Sequence, residues 1–284
     1  MKKRTLSILL AGAVASVAIV VAVRSLRRAP DEGEARCGEG FVARGTRCCS
    51  GDAAGADGAC VVQSCRPPLV LSGGGACDAP DTKIAIARTE LSVGPSDWEA
   101  EGRVPPRQVR AGPFDMDAFE VTEGKLRCPS CLLHASSFVA ADAARAASGV
   151  TFGEAADFCK SRGGRLPTDD EWLVAAMGAL GKRYPWGDTG AVCRRAAFGL
   201  SSGPCGTGAR GPDTVGAHGL GDSPLGVHDL AGNVAEWVVS EKPTVRGGSY
   251  ATSLATELRT WAKEELASKD VRDPRVGFRC VYDH

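Results

Sequence analysis

The sequence lacks an excess of charge of either sign: 34 Lys and Arg balance 34 Asp and Glu, and the formal net charge is zero. A chain without a basic surplus has nothing to set against a phosphate backbone, which argues against a nucleic-acid partner. Aromatic residues are scarce at 6%, so Trp98, Trp172, Trp186, Trp237 and Trp261 are expected to be fixed points of a core. Only four histidines occur, and His134, His218, His228 and His284 have no paired helical spacing. No cysteine precedes Cys37, which excludes a lipid-modified N-terminal cysteine, and no internal repeat is found. Glycine and proline, by contrast, are abundant at 36 and 16, and point to a loop-rich fold. Cysteine is abundant too: twelve in 284 residues place the body of the protein outside the reducing cytoplasm.

Three segments follow from composition. Residues 1–28 carry Lys2, Lys3 and Arg4, an uncharged run of 19 residues from Thr5 to Val23, and then Arg24, Arg27 and Arg28. As a helix that run spans ~28 Å, close to the hydrocarbon thickness of a bilayer. It reads as an anchor holding the chain at the inner membrane with its body in the periplasm or cell envelope. The alternative is a signal sequence cleaved after Ala13-Val14-Ala15, leaving a secreted protein. Residues 29–82 hold Cys37, Cys48, Cys49, Cys60, Cys65 and Cys77 among few large apolar side chains. Such a segment needs staples, and three disulfides are simpler than a zinc site because none of the six has C-x-x-C spacing.

Residues 83–284 read as one domain, opening with strand-like alternation in Lys83-Ile84-Ala85-Ile86-Ala87. Thr151-Phe152-Gly153-Glu154 and Thr168-Asp169-Asp170-Glu171 are capping boxes that predict two helices. The first runs to about Ser161, before Gly163-Gly164; the second carries Trp172, Ala175, Ala176 and Leu180 at helical spacing. Tyr184-Pro185-Trp186-Gly187 predicts a rigid turn. Cys193 and Cys205 read as a local staple. Cys128-Pro129-Ser130-Cys131 is either a structural bridge or a redox pair, and no thioredoxin-like βαβ pattern surrounds it.

The stretches Phe119-Glu120-Val121-Thr122, Gly164–Trp172, Tyr184–Gly187, Leu225–Trp237, Arg246-Gly247-Gly248-Ser249-Tyr250 and Gly277-Phe278-Arg279-Cys280 fall in one order. That series, covering about 200 residues from Lys83 onward, resembles the formylglycine-generating enzyme (sulfatase-modifying factor) family. The resemblance implies an α+β fold, a C-type-lectin-like variant with little regular secondary structure and disulfide support. It also implies a disulfide between Cys159 and Cys280. Family enzymes oxidise a sulfatase cysteine with oxygen and a copper ion held by two thiolates, two and seven residues after the motif aromatic. Counted from Tyr250 those positions are Thr252 and Glu257, hard oxygens that cannot replace thiolates, so copper is not expected. An active-site aromatic is replaced by Ala235, while Ser249 matches the family serine and reads as a turn residue. The resemblance further implies a calcium loop at Asp229, Gly232, Val234 and Glu236. Two carboxylates and two carbonyls would suit that ion, the alternative being that Asp229 caps a turn and Glu236 pairs with an Arg.

Three function classes stand at this point. The first is a non-catalytic exported domain binding a protein or glycan. The second is an oxidoreductase with a non-standard metal site, and the third a purely structural envelope protein.

Overall fold

The computed structural model describes residues 41–44, 47–50, 65–72, 76–94, 102, 104–126, 143–199 and 211–284. The chain divides into two units, Met1–Gln63 and Ser64–His284. Strands β1 (Phe41–Arg44) and β2 (Arg47–Ser50) form an antiparallel hairpin in the first. The membrane-length run at 5–23 and the pair Cys128 and Cys131 lie outside the described residues, as do Trp98 and Cys205. Among the described residues no helix is long and apolar enough to cross a membrane.

The second unit starts earlier than the composition change at Lys83. Cys65 and Cys77 are joined, with Sγ atoms 2.05 Å apart, and bracket the short ladder of β3 (Val70–Leu71) and β4 (Cys77–Asp78). Asp78 then accepts a hydrogen bond from Thr122 Oγ1 at 2.6 Å, which ties this ladder into the body of the domain. Two of the six clustered cysteines therefore belong to the large unit, not to a self-contained module.

Both capping boxes form. Helix α1 (Glu123–Leu126) is a single turn; α2 (Phe152–Ser161) starts at Thr151, whose hydroxyl accepts from Glu154 N–H, and ends at Arg162. Helix α3 (Asp169–Met177) starts the same way at Thr168. It stops sooner than the apolar spacing predicted: Gly178 has φ 57°, and Leu180 falls in a following 3-10 turn with its side chain in solvent. A left-handed glycine ends a helix at little steric cost.

Strands β5 (Lys83–Ile86), β8 (Phe114–Asp117) and β13 (Val281–Asp283) make a sheet with β8 in the middle, while β6 (Thr89–Val93) pairs β7 (Arg107–Ala111). A four-stranded sheet runs β11 (Lys263–Glu265), β10 (Thr244–Arg246), β9 (Ala235–Val238), β12 (Val276–Gly277), with β9 and β12 parallel. All four residues of β9 are buried, so it reads without alternation. The two largest hydrophobic clusters gather Phe114, Met116, Trp172 and Val174 in the first and Phe158, Leu166, Trp237 and Phe278 in the second. Trp172 and Trp237 are fully buried, and Trp186 stacks on Tyr184 across the Tyr184–Gly187 turn with ring centroids 5.0 Å apart. Cys159 and Cys280 are joined inside the second core, linking α2 to the segment before β13 across 121 residues of sequence.

Candidate functional site

The loop from His228 to Val234 is shaped by backbone conformations that few residues adopt. Asp229 and Asn233 both have φ 57°, and Gly232 has φ 83°. A side chain at Gly232 would place its Cβ 2.2 Å from the Ala197 carbonyl oxygen, so glycine is required there. The loop delivers β9 and Glu236 into the middle of the domain, where Arg279 meets them with no solvent exposure. Arg279 Nε donates to Glu236 Oε2 at 2.8 Å and Nη2 donates to Oε1 at 2.7 Å. The remaining guanidinium hydrogens reach the carbonyls of Asp117, Ala118 and His228, and Trp172 Nε1 donates to Glu236 Oε2 at 3.0 Å. Every polar atom of this buried pair is matched, the condition under which such a pair is tolerated.

Glu120 lies beside it. Its carboxylate accepts from Asn233 Nδ2 at 2.5 Å and from Val234 N–H at 3.1 Å. Burial pushes the Glu120 carboxyl well above its ordinary range, and the charges of Asp229 and Glu236 push the same way. Burial also raises Asp229, although the N–H of Gly216 donates to its Oδ2 at 2.6 Å.

These contacts place two of the four expected calcium positions, Asp229 and Glu236. Asp229 and Glu236 both face the domain centre, but Glu236 is held by Arg279 and Trp172, and Asp229 holds a backbone turn. Among the described residues no three His, Cys, Asp or Glu side chains converge as a metal-ligand set. Both Glu236 oxygens and Asp229 Oδ2 already accept hydrogen bonds from protein donors. Asp229 thus holds a backbone turn through Gly216, and Glu236 is paired with Arg279.

A cleft of about 390 Å³ opens on the outer side of β9. Its walls include Ala235, Gly248, Thr252, Glu257, Lys263 and Arg275. Thr252 and Glu257 flank Gly248 closely: a Cβ on Gly248 would lie 3.1 Å from Thr252 Oγ1 and 3.2 Å from the Glu257 carbonyl oxygen. The fold thus brings together the two positions singled out from the sequence, with Ala235 as part of the same wall. Thr252 Oγ1 accepts from Ser249 N–H at 2.9 Å, and Ser249 accepts from Thr252 N–H at 3.0 Å through its carbonyl. Ser249 is buried, and its hydroxyl oxygen accepts from Ala251 N–H at 3.2 Å, so it serves the turn. The donor set facing the cleft contains oxygen and nitrogen and no sulfur, which does not fit a copper ion that favours soft ligands.

Some wall residues were not foreseen. Lys263 lies 3.6 Å from Asp169, and Arg275 pairs with Asp273 at 2.6 Å and Glu264 at 3.1 Å. They belong to β11 and its surroundings, where no sequence motif marks them. Arg279 stood in a quoted motif, and its partner could be inferred only from the pairing of β12 with β9. Of the remaining predicted positions, Cys193 is disulfide-bonded, and no described cysteine is free.

A lectin-like α+β domain with a buried Glu–Arg centre and a small polar cleft is the class that fold and site define together. The model of the "Sulfatase-modifying factor enzyme 1-like domain" family matches residues 76–284, and the chain belongs to that family. It is 32% identical over 152 residues to a mouse (Mus musculus) protein named inactive C-alpha-formylglycine-generating enzyme 2, covering 46% of this chain and 47% of that one. It is 30% identical over 168 residues to the formylglycine-generating enzyme of Streptomyces coelicolor, covering 47% and 51%. The chain spans about half the length of these relatives. Among solved structures, Treponema denticola variable protein 1 superposes with a TM-score of 0.58 at 20% identity, over 71% of this chain and 95% of that one. That likeness establishes the C-type-lectin-like fold of the family.

Proposed function

We propose that this protein is a non-catalytic member of the family, exported and held at the membrane by its N-terminal segment, which binds a protein or carbohydrate ligand. The observation that carries the reading is the cleft beside Gly248: the positions that hold copper thiolates in the family enzymes are Thr252 and Glu257 on its walls. Formylglycine chemistry needs two thiolates converging on one ion, and neither side chain supplies one. The similarity to a protein named inactive supports the same reading. Twelve cysteines, with two disulfides closed inside the described domain, suit an oxidising compartment.

The test is a Cu(I) titration of the full chain, alone and with a sulfatase-type cysteine peptide, followed by mass analysis of the peptide. The expected result is no stoichiometric copper binding and no formylglycine. Copper-dependent formylglycine from the unaltered protein would return the chain to the enzymes. The variant Thr252→Cys with Glu257→Cys should gain copper binding without gaining turnover, since Ala235 leaves the wall incomplete. Binding of neither glycans nor proteins in an array and cross-linking survey would favour a purely structural envelope protein.

A further inference from the structure

A second and larger cleft, of about 770 Å³, lies away from Thr252 and Glu257, between the disulfide-closed loop at Arg66–Leu69 and the loop at 213–219. Its volume is that of small-molecule sites, roughly 300–1,000 Å³. The apolar part of its wall includes Pro67, Pro68 and Leu69, with Val215 and Ala217 opposite on the second loop. Gly216, with φ 69°, allows close approach of the two loops: a Cβ there would come within 2.7 Å of Pro68 Cγ and 2.8 Å of Phe119 Cε1.

Two groups on this wall keep donor or acceptor capacity that no described residue uses. His228 Nδ1 is 2.7 Å from Asp222 Oδ1, and the ring stacks on Phe119 with centroids 4.3 Å apart and planes 10° apart. The carboxylate accepts, so Nδ1 carries the hydrogen, and the imidazole is fixed in both orientation and tautomer. That leaves Nε2 as the unbonded edge of the ring. Arg66 is exposed and makes no ion pair among the described residues. Asp213, the one acid on the wall, is already bound: its Oδ2 lies 3.1 Å from His218 Nε2 and its Oδ1 accepts from Thr214 N–H at 2.7 Å. The cleft therefore offers one uncompensated cation, one fixed imidazole edge and an apolar floor.

The geometry points to a site for a hydroxylated organic carboxylate of the sugar-acid class. Its carboxylate meets Arg66 in a charge-assisted hydrogen bond, a hydroxyl donates to His228 Nε2, and the apolar face of the ring lies on the prolines and Leu69. Proline and leucine supply that surface without losing side-chain hydrogen bonds, and the compensated Asp213 does not repel the acid.

Trigalacturonate, neutral galactotriose and cationic chitotriose would be titrated calorimetrically into the oxidised full chain in detergent. Trigalacturonate should bind in a saturable way, about tenfold or more tighter than either of the others. Arg66→Glu, an exposed position whose change leaves the melting temperature unaltered, should abolish the preference for the acid. His228→Asn keeps a donor toward Asp222 and should weaken binding, while Glu257→Gln in the other cleft should leave it unchanged. Absence of saturable trigalacturonate binding overturns the assignment, as does equal affinity for the three saccharides or unaltered binding by Arg66→Glu. Binding lost in Glu257→Gln but kept in Arg66→Glu would move the ligand to the cleft beside Gly248 and likewise overturn it.

Discussion

The Glu236–Arg279 centre and the Thr252–Glu257 cleft both border β9, and they differ in what the rest of the chain demands of them. At the centre each side chain answers another: Arg279 serves Glu236 and three carbonyls, and Trp172 joins from α3. In the cleft, Thr252 keeps one turn and Glu257 is exposed, so the fold places little constraint on either side chain. A family motif can thus persist as architecture where the protein is its own partner, and change where the partner was a metal or a substrate.

The largest effect is expected at the centre. Arg279→Leu leaves Glu236 buried without its cation, beside the already crowded Glu120 and Asp229, and should cost ~3–5 kcal/mol in denaturant unfolding. Adding Glu236→Gln to that variant should recover part of the loss; no recovery would mean that Arg279 matters for its carbonyl bonds alone. The next effect depends on pH. Glu171 is buried, but bidentate bonds from Arg165 and the capping bond from Thr168 N–H hold its carboxyl below the ordinary value. Asp169 is held low in the same way by Arg246. A carboxyl lowered in the folded state contributes stability above its unfolded value, and that stability is lost as pH falls through the folded one. The melting temperature should therefore drop as pH falls below about 4.5, and Glu171→Gln should show a lower plateau by ~1–3 kcal/mol with a shallower acid limb. Glu120 and Asp229, both raised, act in the opposite sense and lose stability as pH rises through their folded values.

Smaller still is the cleft. Thr252→Ala removes one backbone hydrogen bond and should cost ~0.5–1.5 kcal/mol, and Glu257→Ala should stay within ~0.5 kcal/mol in the same unfolding assay. Equal costs at Arg279 and Glu257 would erase the contrast between the two regions. The smallest expected change is that from calcium: millimolar calcium should leave the melting temperature unmoved, because Glu236 is already paired. A rise that disappears in Asp229→Ala would show that the ion displaces Arg279.

What could be read from the residues divides along physical lines. The helix starts were legible because a capping box is local: Thr151 with Glu154 and Thr168 with Glu171 satisfy each other within four residues. The end of α3 was not, since apolar spacing through Leu180 continues past the glycine that stops it. Asp229 and Glu236 were recognisable as important, but their spacing fits a cation loop and an Arg-paired turn equally well. The partner of Glu236, Arg279, lies 43 residues away and is brought there by parallel pairing of Val276 with Ala235. The cleft at Arg66 and His228 was invisible, because its walls come from segments far apart in sequence.

The placement of β12 and β13 has a consequence for biogenesis. Val276 pairs with Ala235, Val281 with Met116 and with the backbone of Arg165, and Arg279 fills the centre between them. The earlier strands therefore wait, incomplete, for residues 276–283 to be synthesised. A nascent chain that has not reached residue 279 carries neither the cation for Glu236 nor the partner for Cys159, so the centre of the domain is completed last.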